Sequence, residues 1–483
     1  MKKNSLVLSN MLWRLGERLG AKAVAFVVEL ILARMLGPGA FSIIALITIF
    51  TAILQVFVDS GLGNALIQKK DADDVDFSTV FYVNMGMCLF LYFLIFLIAP
   101  LISSFYNNPD LTAPIRVLSL TIVISGVKNV QQAYVSRNML FKRFFFATLG
   151  GTIGAAVIGI LLAYLGFGVW ALVAQMLFNN LVDTIILWVT VKWRPKKVFS
   201  FERFKGLFSY GWKLLVSSLI DTVYNDLRQL IIGKRYLPTD LAQYNQGKKF
   251  PMYLVTNINT SIDSVLLPTM SEVQDDKQAI KSMTRRAIKT STYIMMPFMV
   301  GLAVCAYSLI HLILADEWLP CVPFLRIFCF SYAFYPIHTA NLNAIKAMGR
   351  SDLFLKLEVI KKIVGFLAIL ITMWISVMAM AYSLLFISVA SQIINSWPNK
   401  KLMNYSYFEQ LKDLMPQLLL SLVMGAIVYC VQLLGLNDIL TLLIQIPLGA
   451  AIYIIGSKLL HLDSFEYLIS TVKGLLGKRN KAN

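Results

Sequence analysis

Two stripes of charge interrupt an otherwise apolar chain. Arg14, Arg18, Lys22 and Glu29 fall within about 80° of arc on a helix turning ~100° per residue. Lys213, Ser217, Asp221, Asn225 and Arg228 fall within about 120°. Stripes rich in guanidinium and ammonium groups suit an anion, phosphate above all. Arg offers a bidentate fork and Lys a compact point charge. Lys248 and Lys249 add two further cations. Glu29, Asp59 and Asp221 are the acids placed to take up a proton or a small cation; Asp59 shares a helix face with Gln55, four residues back. Tyr253, Asn257 and Ser264 share a third face, with Asp263 beside it. Other chemistries lack their residues. Three His and five Cys are scattered, without HExxH or CxxC spacing, so the chain carries no metal site, disulfide framework or cofactor motif. There is no nucleophile–base pair, and no catalytic residue is assigned.

Each stripe also has a structural alternative. Arg14 and Arg18 lie near a helix start and could snorkel. Lys22 with Glu29, and Asp221 with Arg228, could be buried structural pairs, although seven residues is a loose spacing. Lys234, Arg235, Lys248 and Lys249 could form a solvated rim. Arg116, Lys128 and Arg326 stand alone and read as interhelical or helix-end contacts.

The elements that must position these residues are transmembrane helices. Of 483 residues, 58% are hydrophobic and 14% charged, against about 25% charged in a soluble domain. The mean hydropathy is +0.69. Segments of ~20 apolar residues, the length that spans a bilayer, occur near 12–36, 41–66, 78–100, 114–134, 144–164, 168–191 and 207–233. A second set lies near 251–268, 291–314, 322–345, 356–374, 377–397, 414–434 and 437–457, giving fourteen spans. The charge-free run Ile363 to Trp397 would make a helix of ~52 Å, too long for a ~30 Å core, so a hairpin divides it. An even count puts both termini on one side. Loops on that side hold 31 of the 44 Lys and Arg, and the opposite loops hold four. The positive-inside rule makes the rich side cytoplasmic. The net charge of +18 is therefore mostly topological and does not indicate nucleic acid. The longest outside loop, about 15 residues, leaves no room for an extracytoplasmic domain, and no cleavable signal is expected at the polar start Arg14, Glu17, Arg18.

A repeat relates the two halves. RMLGP (34–38) parallels KRYLP (234–238), and VDSGLGNALIQKKDADD (58–74) parallels IDSVLLPTMSEVQDD (262–276). Six spans separate the copies, so both enter the membrane in the same direction: a parallel repeat, with substrate between two pseudo-symmetric six-helix lobes. The expected organisation is an all-α polytopic membrane protein. Its N-terminal lobe is 1–200, its C-terminal lobe 201–400, and 401–483 holds two additional helices and a basic tail.

Several stretches carry a family resemblance. DSGLGNALIQKKD, FSTVFYVN, LGFGVWALVAQ (165–175), FSYGWKLLVSSLIDTVYNDLRQLIIGK (208–234), LLPTMSEVQDD, WLPCVPFLRI (318–327) and NLNAIKAMGRSDLFLKLEVIKK (341–362) run in order over most of the chain. Together they resemble the Wzx-type polysaccharide flippases of O-antigen, capsule and teichuronic-type export, in the multidrug/oligosaccharidyl-lipid/polysaccharide exporter superfamily. The resemblance implies a multi-pass protein of the bacterial inner membrane. It implies transfer of an undecaprenyl-pyrophosphate-linked oligosaccharide to the outer leaflet by alternating access. It also implies coupling to a proton or sodium gradient, and a polysaccharide polymerase among the partners. By helix position it places Arg14, Arg18, Lys22, Lys213 and Arg228 in a cationic cavity. The rival reading within the superfamily, a small-molecule or drug exporter, would want an apolar, acidic cavity.

Overall fold

A computed structural model of the chain describes the backbone of residues 2–59, 62–69, 71–138 and 141–479. Side chains are described from 20 to 473 within those ranges, except 64, 68, 141–144, 147, 210, 261, 471 and 472. Among the described residues the secondary structure is helical, without strands. Eight helices among the described residues are long and apolar enough to cross a membrane. Helices dominate because backbone N–H and C=O groups find no water in hydrocarbon and must pair within their own segment.

The chain divides into two compact units, 1–242 and 243–483. The first unit begins with α1 (Lys2–Asp59), which is two helices meeting at Gly37 (φ 65°, ψ 179°). Glycine adopts that positive φ at little cost, and Pro38 then starts the next segment with its φ already helical. The break falls between the expected spans 12–36 and 41–66. Next come α2 (Leu62–Gln68), α3 (Asp74–Phe105), α4 (Thr112–Leu118) and α5 (Leu120–Arg137). The sequence reads 114–134 as one span; the structure keeps Pro109–Arg137 as one candidate span, with a one-residue interruption of the helix at Ser119. The unit continues with α6 (Phe141–Tyr164), α7 (Val169–Thr190) and α8 (Phe201–Arg235). α6 packs against both α1 and α7. Its small residues allow close approach: a methyl added at Gly154 would sit 2.8 Å from Phe178 of α7.

One acidic segment, residues 71–76, fastens the linker between α7 and α8 to the start of α3. Asp73 caps α3, accepting from the amides of Val75 (3.1 Å) and Asp76 (3.0 Å), and also accepts from Arg203 of α8. Asp76 is fully buried and paired with Lys69 at 2.7 Å and Arg203 at 3.4 Å. Asp74 binds Lys196 at 2.6 Å and accepts from the Trp193 indole at 3.2 Å. Ser78 and Thr79 accept from the backbone amides of Lys196 and Ser200 at 2.9 and 3.1 Å. Beneath these bonds Trp193 packs in a buried cluster with Phe77 and Val130. Burial explains the need for bonding: a carboxylate as enclosed as Asp76 is tolerated only with cations beside it.

In the second unit α9 (Pro238–Ser271) leads to α10 (Lys277–Leu314), α11 (Cys321–Ala333), α12 (Tyr335–Ala347), α13 (Ser351–Thr372), α14 (Val377–Met403), α15 (Tyr407–Gln432), α16 (Asp438–Leu459) and α17 (Asp463–Arg479). The charge-free run of α13 and α14 does break, between Thr372 and Val377, where Ser376 caps α14 through the Ala379 amide at 3.0 Å. A second interruption, at Phe334 between α11 and α12, parallels the one at Ser119. α10 packs against α11, α12, α15 and α16.

The internal repeat reappears as repeated chemistry. Pro238 opens α9 just as Pro38 follows the Gly37 break. Asp276 caps α10 through the amides of Gln278 and Ala279, both at 2.9 Å, as Asp73 caps α3. The solitary arginines behave alike: Arg116 Nε donates to the Phe96 carbonyl at 3.1 Å, and Arg326 Nε to the Ala303 carbonyl at 3.1 Å.

The Asp73 carboxyl is held at about 2, below its ordinary 3.8, first by its bond from Arg203 and then by the amides it caps. A lowered value means its contribution is complete above the unfolded value near 3.8 and is lost as pH falls through about 2. Replacing Asp73 with Ala should cost about 1 kcal/mol at neutral pH. Melting curves of the purified pair should differ at pH 7 and converge as pH approaches about 2; a constant difference would contradict the assignment.

Candidate functional site

The second charge stripe lies on α8, whose outer surface carries two neighbouring faces. Phe208, Trp212, Val216, Ile220 and Val223 are exposed along one, as a lipid-facing stripe would be. Lys213, Ser217, Asp221 and Asn225 are exposed along the other, centred about 140° away. Arg228, on the same polar face, is 6% exposed. α8 is not among the eight helices long and apolar enough to cross a membrane. If 207–233 crosses as the sequence reading expects, a charged side chain at the bilayer centre costs at least about 2.5–3.5 kcal/mol, so this polar face must meet water or a polar ligand. α8 packs against α1 within the first unit. A methyl at Gly233 would fall 2.4 Å from Leu46 of α1, so that end of α8 lies flush against α1.

On α1, Lys22 is exposed and Glu29 half-buried. The side chains of Arg14 and Arg18 lie outside the described residues. Lys248 and Lys249 are half-buried on α9. Lys234, the repeat counterpart of Arg34, donates to the Phe105 carbonyl, with its ammonium 4.3 Å from the Phe105 ring centre.

A polar cavity of about 410 Å³ opens within the first unit between α1, α5 and α7. From α1 it takes Thr48, Thr51, Gln55 and Asp59; from α5 Thr121, Ser125, Lys128 and Gln132; from α7 Asn180. Gln55 Nε2 donates to Asp59 Oδ1 at 2.8 Å. Lys128 pairs with Asp183 at 2.8 Å, with both side chains about one-eighth exposed (12% and 13%), and reaches Asn180 Oδ1 at 3.4 Å. Hydroxyls, amides, a carboxylate and an ammonium together suit a hydrated cation, a proton or a sugar hydroxyl. The sequence pointed to Asp59 here. It left Lys128 solitary and passed over Asn180 and Asp183, because the ion pair joins residues 55 apart on helices whose contact no local pattern reports.

The repeat counterpart of Asp59 is Asp263 in the second unit. It accepts from Asn343 Nδ2 at 2.7 Å. On α12, Asn341 also belongs to a buried amide chain: it donates to Gln410 at 2.9 Å and accepts from Asn399 at 2.6 Å. Asp59 and Asp263 thus each accept from a side-chain amide, of Gln55 and Asn343 respectively. The described residues contain no cluster of three or more His, Cys, Asp or Glu suited to a metal ion.

Residues 31–323 match the polysaccharide biosynthesis protein family. Over 418 residues the chain is 24% identical to the teichuronic acid biosynthesis protein TuaB of Bacillus subtilis, covering 84% of this chain and 85% of that one. It is 23% identical over 345 residues to the succinoglycan biosynthesis transport protein ExoT of Rhizobium meliloti, covering 71% and 70%. Among solved structures, the lipid II flippase MurJ in an inward closed conformation shares the fold, with a TM-score of 0.75 at 16% identity over 94% of this chain and 99% of that one.

Replacing Lys128 with Ala leaves the Asp183 carboxylate largely buried without its ammonium and should destabilise the protein by roughly 3 kcal/mol. Replacing both residues with apolar ones of similar volume should recover most of that loss. Thermal melting of the single and double variants checks this; a double variant as unstable as the single one would contradict the pairing.

Proposed function

The chain belongs to the polysaccharide biosynthesis protein family, and from that premise we propose that it flips an undecaprenyl-pyrophosphate-linked oligosaccharide from the cytoplasmic to the outer leaflet for surface polysaccharide assembly. It is a multi-pass inner-membrane transporter of the multidrug/oligosaccharidyl-lipid/polysaccharide exporter superfamily. The reading extends to fourteen spans with both termini cytoplasmic, and to lobes at 1–200 and 201–400 followed by two helices in 401–483.

The observation that carries the proposal is the exposed polar face of α8, with Lys213, Asp221 and Asn225 beside an equally exposed apolar stripe. A charge on such a helix has no use to lipid and a direct use to an anionic headgroup. Arg14, Arg18, Lys22, Lys213, Asn225, Arg228, Lys248 and Lys249 are the proposed substrate contacts. The diphosphate sits among the cations while the polyprenyl chain stays in lipid.

Electrostatics then drives alternating access. Two like charges 4 Å apart repel by about 4 kcal/mol at an effective dielectric near 20. Bringing basic stripes together is therefore unfavourable until an anion lies between them. The substrate's diphosphate relieves the repulsion and favours the closed arrangement; release restores it. Glu29, Asp59 and Asp221 are the proposed coupling acids, drawing on a proton or sodium gradient to reset the cycle. A polysaccharide polymerase receives the flipped product.

Replacing Arg18, Lys22 and Arg228 singly with Ala removes one charge-assisted contact each. Such a contact contributes about 1.5–3 kcal/mol, or roughly a tenfold change in binding or more. Surface polysaccharide should fall accordingly while membrane abundance stays normal, read by quantitative immunoblot. Unchanged export in all three variants would rule out the cationic site.

A further inference from the structure

A basic cavity in the second unit lies outside every helix face discussed so far. It is a groove of about 1030 Å³ between the first turns of α10, the end of α14 and the start of α17. Its lining is strongly basic: Lys277, Lys281, Arg285, Arg286, Lys289 and Lys401 contribute six cations against the single carboxylate of Asp463.

Three of those cations hold the walls. Lys281 pairs with Glu409 at 3.0 Å, Arg285 with Asp413 at 2.6 Å, and Lys289 with Asp463 at 2.8 Å. These bonds tie α10 to α15 and α17. The other three have no carboxylate within ion-pair distance among the described residues. Lys277 and Lys401 are exposed, and Arg286 lies over the Tyr467 ring at 5.4 Å. Counting Glu409 and Asp413 with Asp463, the groove keeps an excess of three positive charges over acids.

Depth identifies what can neutralise that excess. α10 has 38 residues, about 57 Å of helix, against a hydrocarbon core of ~30 Å. Its lysines and arginines end at Lys289, and from Ser291 the helix turns buried and apolar through Met295, Met296, Met299 and Val300. The groove therefore sits just outside the hydrocarbon, at the level of lipid headgroups. The charge asymmetry assigns that side to the cytoplasm, where the leaflet is anionic and attracts basic segments.

We propose that this groove binds the phosphate headgroup of an anionic phospholipid of the inner leaflet, held by Lys277, Arg286 and Lys401. Arg supplies a fork to two phosphate oxygens, and the lysines supply point charges. The ion-paired cations shape the groove without being consumed by the ligand. The bound lipid would fasten α17 to α10 and α14. The proposal is independent of the transported cargo.

The test uses the purified full chain in detergent, melted with added phosphatidylglycerol or phosphatidylcholine. Phosphatidylglycerol should raise the melting temperature by several degrees and phosphatidylcholine should not. In K277A/R286A/K401A at least half of that rise should vanish, while the melting temperature in phosphatidylcholine matches the parent chain. K192A/K197A, which removes two exposed lysines elsewhere, should keep the full rise. If the triple variant folds poorly, K401Q alone should show a partial loss. A full rise in the substituted groove would overturn the proposal, as would equal stabilisation by phosphatidylcholine. So would stabilisation by millimolar inorganic pyrophosphate without added lipid, which would make the groove a site for soluble anions.

Discussion

The cost of a charge in hydrocarbon organises this protein. Each ionisable group must reach the headgroups, pair with a partner or face water. All three outcomes are visible. Asp76 is fully enclosed and has Lys69 and Arg203 beside it. Lys128 and Asp183 neutralise each other between α5 and α7. The basic turns of α10 lie beyond its apolar segment. The exposed residues of the α8 stripe follow the third route.

The same constraint explains which features were legible in sequence. The break at Gly37–Pro38 and the division of the 363–397 run follow from backbone chemistry and span length, both local properties. Asp73 and Asp276 cap α3 and α10, a role not assigned to them from sequence. The interruptions at Ser119 and Phe334 were not legible, because neither residue breaks a helix by itself and packing decides. The Lys128–Asp183 pair was equally hidden, since its partners meet only through the tertiary fold. For the acidic segment 71–76, sequence placed residues up to 74 in the internal repeat but assigned them no role. Structure supplies one: its carboxylates hold the linker and the start of α8.

Repetition sharpens the division between scaffold and site. Features present in both halves are structural: the proline-led second segments, the capping aspartates, and Arg116 and Arg326 each bonded to a carbonyl. The paired aspartates Asp59 and Asp263 repeat in position but differ in surroundings. One lines a polar cavity and the other accepts from a buried side-chain amide. The charges of α8 have a counterpart stripe on α1, yet the residues differ in kind and order.

The account stands or falls on what the chain moves. The direct measurement is depletion of the protein in its own cell, followed by analysis of the lipid-linked oligosaccharides on each face of the inner membrane. Accumulation of an undecaprenyl-pyrophosphate-linked oligosaccharide on the cytoplasmic face, reversed when the chain is restored, is the predicted result. An unchanged distribution of every such intermediate between the two leaflets would contradict it.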